Sequence, residues 1–84
     1  METFRTFILS LAVPDGPDQD FKDDVKRDLD FPKSKEFKWS IYENYLIKNQ
    51  ACTSATEVAK RFWRGYAKLV HQIYPYRTEK IYEN

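Results

Sequence analysis

Apolar residues recur along this chain at helical rather than strand spacing, and the clearest case runs from Val58 to Tyr74. At ~100° per residue, Val58, Ala59, Phe62, Trp63, Gly65, Tyr66, Ala67, Leu69, Val70, Ile73 and Tyr74 fill one continuous arc of a helix. Lys60, Arg61, Arg64, Lys68, His71 and Gln72 fill the remainder, with no acid among them. An arc that wide needs partners on more than one side, which predicts the central helix of a small all-α domain. Ser54-Ala55-Thr56-Glu57 has capping-box spacing and marks where this long helix begins, and Pro75 marks its end.

Three shorter helices precede it. The first spans roughly Thr3 to Ala12, with Thr3 as N-cap and Phe4, Phe7, Ile8 and Leu11 on one face. Two prolines and a glycine between Val13 and Pro17 then enforce a turn. The second spans Asp18 to Leu29, where Phe21, Val25 and Leu29 form a narrow apolar stripe. Asp18, Asp20, Asp23 and Asp24 crowd its first half, where the helix dipole favours negative charge. Asp20, Asp23 and Asp24 spread around the solvent side instead of converging. They also lack the turn glycine and closing glutamate of a calcium loop, so they read as charge placement rather than a metal site. Pro32 biases Phe31 toward extended backbone, which ends the helix near Leu29 or Asp30 and leaves Phe31 to plug the core from a loop.

The third helix is expected from about Lys35 to Lys48, with Ser34 a candidate cap. Phe37, Ile41, Tyr42, Tyr45 and Leu46 make its buried side; Lys38, Glu43 and Lys48 mark solvent. Trp39 and Ile47 fall toward the edges of that arc, where one or both are expected to be partly exposed as a candidate apolar contact surface. Packing beneath a neighbouring loop is the commoner fate of such residues. The organisation expected is a single four-helix bundle over residues 1–75 and a polar tail over 76–84, where Ile81 and Tyr82 either fray or lie on the bundle.

Composition sharpens this picture. With 84 residues there is room for one core, and 17% aromatic residues let large rings supply buried area that a short chain otherwise lacks. A lone Cys52 rules out an intramolecular disulfide, and no apolar run approaches the roughly 20 residues of a membrane span. The N-terminus has no secretory layout, so a soluble cytoplasmic protein without a membrane role is expected. The net charge of +1 conceals −4 over residues 1–30 and +5 over residues 31–84. That split permits either a local basic surface or mutual attraction between the halves.

The chemical inventory argues against an enzyme. His71 and Cys52 are each the only residue of their kind, so a zinc site of several such ligands cannot form within one chain. As a nucleophile pair they would stand near opposite ends of the long helix, roughly 25–30 Å apart at ~1.5 Å rise per residue. Gly16 and Gly65 cannot make a phosphate-cradling loop. No catalytic residue, cofactor or metal is therefore predicted. The best functional candidates are Lys60, Arg61, Arg64 and Lys68, with His71 as a pH-sensitive contributor. Four fixed positive charges on one face suit contact with a partner protein or, alternatively, nucleic-acid backbone. The acids of the second helix are the competing partners for these bases. Protein–protein contact is the leading expectation; the partner's identity and the oligomeric state stay open.

The assembled residues resemble the YozE family, small bacterial proteins with a fold similar to sterile alpha motif domains. The resemblance rests on Phe4-Arg5-Thr6-Phe7-Ile8-Leu9 with the Pro-containing turn after it, on Phe21 and the acidic second helix, and on Phe31-Pro32-Lys33. It continues through Ile41-Tyr42-Glu43-Asn44-Tyr45-Leu46 to Trp63-Arg64-Gly65-Tyr66, covering about residues 3–67. The basic Arg61/Arg64 region stands where the family suggests a more acidic stretch, and the end of the fourth helix runs past the match. The resemblance implies a four-helix, sterile-alpha-motif-like domain with Phe4, Phe31, Ile41, Tyr45, Trp63 and Tyr66 in the core, and it implies no catalytic residues.

Overall fold

In the computed structural model, which describes residues 3–73, the chain forms four helices: α1 (Phe4–Ser10), α2 (Pro17–Arg27), α3 (Trp39–Lys48) and α4 (Thr53–Ile73). There is no strand among the described residues, and the expected all-α bundle with a long final helix is what the chain adopts. The expected helix end at Pro75, the place of Tyr74 in the apolar arc and the tail 76–84 lie outside the described residues.

α1 is short and held by its ends. The Thr3 hydroxyl accepts the Thr6 N–H while the Thr6 hydroxyl accepts the Thr3 N–H, a reciprocal capping box. It stops at Ser10, two residues before the expected end: Leu11 is already extended, and the Ser10 hydroxyl turns back onto the Phe7 carbonyl. The freed Leu11 carbonyl accepts from Lys22 Nζ of α2. α2 begins on Gly16-Pro17, where Gly16 takes φ 119° and ψ −150°, a conformation that only glycine adopts without strain.

α2 ends at Arg27, so Leu29 leaves the stripe on which its spacing placed it. The Asp28 carboxylate accepts the Asp30 N–H in a tight turn, and the Phe31 N–H reaches the Asp28 carbonyl. That turn swings Leu29 outward, 75% exposed, while Phe31 folds back into the core as expected. Arg5 reaches across from α1 to the Val25 and Lys26 carbonyls, placing a positive charge at the negative end of α2.

α3 begins at Trp39, four residues later than its composition predicts. Phe37 and Trp39 are both buried and both pack on Trp63. Two residues apart, they would point about 200° away from each other on a helix, whereas extended backbone puts them on one side. Lys38 is accordingly extended, and Ser34 serves the Glu36 N–H in a local turn instead of capping a helix. Trp39 is 2% exposed, so it is no surface residue; its indole N–H donates to Glu43, which removes the penalty of burying it. Ile41 and Tyr45, expected in the core, are only half-buried at its margin.

α4 begins at Thr53. The Thr56 N–H and hydroxyl both reach the Cys52 carbonyl, so Cys52 holds the capping position and Ser54 lies inside the first turn. Its apolar arc is buried as its periodicity requires, through Val58, Ala59, Phe62, Trp63, Tyr66, Ala67 and Val70. Trp63, fully buried, is the hub of the core. Phe4 meets it edge-on at 5.0 Å, Phe37 stacks on it at 4.9 Å, and Trp39, Tyr42 and Tyr66 surround the remainder.

Candidate functional site

The bases singled out on α4 share its outer side. Arg61, Arg64, Lys68 and His71 are exposed and Lys60 is half-buried. The Arg61 guanidinium makes a bidentate bond to both oxygens of Asp18, at 2.6 and 3.1 Å, clamping α4 to the start of α2. Lys60 lies 3.8 Å from Glu57, one turn back on its own helix. The charge imbalance between the halves of the chain is thus partly spent inside the fold.

The apolar pair expected at the edges of α3 is split. Trp39 belongs to the core, as described above, while Ile47 is 68% exposed. Leu29 joins Ile47 as the second large exposed aliphatic among the described residues. Sequence periodicity missed Leu29 because it carried the α2 stripe past the point where the Asp28 turn breaks it. The signal that predicts the break is the Asp-Leu-Asp-Phe-Pro string itself, rich in turn formers.

A furrow runs between α2, the end of α3 and the start of α4. One stretch, about 370 Å³, has Phe21, Val25, Leu46 and Ala55 on its floor, with Asp24 and Asp28 at its edge. A second stretch of about 260 Å³ continues along α2 and α4 past Asp20 and Val58. The two share Phe21, Asp24, Cys52 and Ala55 in their walls. Leu29 and Ile47 are the chain neighbours of Asp28 and Leu46, which line it. Asp20 and Asp24 share one side of α2 and Asp28, its C-cap, continues their four-residue spacing, a regularity visible in the sequence but masked there by Asp18 and Asp23. The Tyr45 hydroxyl donates to Asp28 at this edge. That hydrogen bond, then partial burial and the negative charges of Asp28 and Asp30, push the phenol up to about 12.

A further hollow of about 300 Å³, lined by Phe7, Leu11, Val13, Pro14 and Gly65, is edged by the Arg61–Asp18 pair. Nothing brings Cys52 and His71 together: Cys52 precedes α4 and His71 lies in its last turn. Among the described residues, no three His, Cys, Asp or Glu side chains are grouped to hold a metal ion. No helix among them is long and apolar enough to cross a membrane.

No curated protein and no solved structure gives a significant match to the chain. A family model described as YozE SAM-like fold matches residues 3–68, which takes in α1 to α3 and most of α4. With the four helices in place and the match spanning most of the sequence, the chain belongs to the YozE family of SAM-like fold.

Proposed function

We propose that this protein is a non-enzymatic, cytoplasmic protein–protein interaction module that makes contact through the end of the bundle carrying Leu29 and Ile47. The observation that carries the reading is two exposed large aliphatics, each next in the chain to a residue that lines an apolar-floored furrow. A single exposed cysteine with no second cysteine to pair with suits a reducing compartment. Phosphate binding by Lys60, Arg61, Arg64 and Lys68 is the weaker alternative. Arg61 already gives both arms of its fork to Asp18, and Lys60 has Glu57 at hand.

The test compares two variants of the full chain in affinity capture from the native cell extract. Leu29→Ser with Ile47→Ser is expected to lose a discrete protein partner that Arg64→Glu with Lys68→Glu retains. The reverse pattern would overturn the proposal. So would duplex DNA or RNA binding at about 50 mM salt that falls steeply as salt rises.

A further inference from the structure

We infer that the furrow between α2, α3 and α4 seats a cationic, amphipathic helix of a partner protein. This rests on the interaction-module reading and adds the chemistry of the occupant. Both stretches have apolar floors, and their walls contain Asp20, Asp24 and Asp28 but no lysine, arginine or histidine. An occupant must therefore bring apolar side chains for the floor and positive charge for the edge.

Asp20 and Asp24 on α2 and Asp28 at its C-cap recur at four-residue intervals and span about 12 Å at ~1.5 Å per residue. Lysines or arginines spaced likewise on a facing helix would match them in register. An extended segment is less suited, because the described residues offer no strand edge for it to pair with. The neighbouring charges do not cancel the edge. Arg27 pairs with Asp24 at 2.6 Å, but both side chains are over 70% exposed, so the pair gives way at little cost. Asp28 is held by the Tyr45 hydroxyl, which leaves its negative charge in place.

Cys52 supplies the readout. It is exposed, borders both stretches and is the only cysteine in the chain. The experiment measures its alkylation rate by iodoacetamide in the full chain. Three synthetic peptides of equal length are added: a helical leucine–lysine amphipath, its leucine–glutamate counterpart, and the leucine–lysine composition scrambled to erase the apolar face. The amphipathic cation is expected to slow alkylation saturably, by about tenfold, and less so at high salt. The other two peptides are expected to leave the rate unchanged. Asp20→Lys with Asp24→Lys, both exposed and checked for native helicity, should abolish protection.

No protection by the amphipathic cation, equal protection by either control, or protection that survives the double variant would overturn the inference. Protection that grows with protein concentration alone would also overturn it, by assigning the furrow to a second copy of the chain. If cationic protection fails while the Leu29/Ile47-dependent partner persists, only the occupant's chemistry is refuted. If both fail, the interaction reading falls with it.

Discussion

At Gly65, in the middle of α4, an added Cβ would lie 3.4 Å from Phe7 Cζ, ordinary van der Waals contact. Glycine in a helix interior costs roughly 0.5–1 kcal/mol relative to alanine, because the unfolded chain has more freedom to lose. Gly65→Ala is therefore expected to raise stability by about that amount, measured as a higher denaturation midpoint in urea. Tyr45 sets a pH limit. Its phenol is raised from 10.0 to about 12 by the bond to Asp28, so the fold holds this proton more tightly than the unfolded chain does. The stability it contributes is complete below pH 10 and is lost as pH climbs toward 12. Tyr42, raised further by burial and then by Tyr66, acts in the same direction. Tyr45→Phe should flatten the alkaline fall in stability and remove one late step from the phenolate absorbance titration.

Among the elements, α1 depends most on its ends. Seven residues are too few for a helix to persist alone, so the Thr3–Thr6 box and the burial of Phe4 and Ile8 must hold it. Thr3→Ala should cost about 1 kcal/mol, read from the denaturation midpoint, and should loosen amide protection over α1 first. The element scale is also where sequence reasoning did best and worst. The buried arc of α4 was legible because its apolar residues outnumber any alternative face. The capping role of Thr3 and the inward fold of Phe31 were legible because proline and threonine act locally. The start of α3 was not, since Lys35 and Glu36 favour a helix while Phe37 and Trp39, two positions apart, demand extended backbone to reach the same indole. A tertiary contact overrode propensity there, as the Asp28 turn did at Leu29. The furrow was illegible for a related reason: its walls come from three elements whose approach no single periodicity encodes.

For the molecule as a whole, the opposite charges of its two halves are joined at Asp18 and Arg61. The pair is well formed but partly exposed, so Asp18→Asn is expected to cost less than about 1 kcal/mol, and less again at high salt. The diagnostic measurement is nucleic-acid binding by that variant. If releasing Arg61 creates salt-sensitive affinity for duplex DNA that the parent chain lacks, Asp18 restrains a latent phosphate site. The expected result is no gain, in keeping with a surface whose charge serves the bundle.

Both indoles of this protein sit in one dry cluster, with ring centres 5.8 Å apart and Tyr42 and Tyr66 against Trp63. Light absorbed by either tryptophan, or passed on from those tyrosines, is thus emitted from a common apolar setting. The domain carries its own optical gauge: concerted unfolding of the helices admits water to both emitters at once and shifts the emission to the red as a single event. Unfolding can be followed without a label, and any helix that departs from the indoles independently will betray itself as a second step.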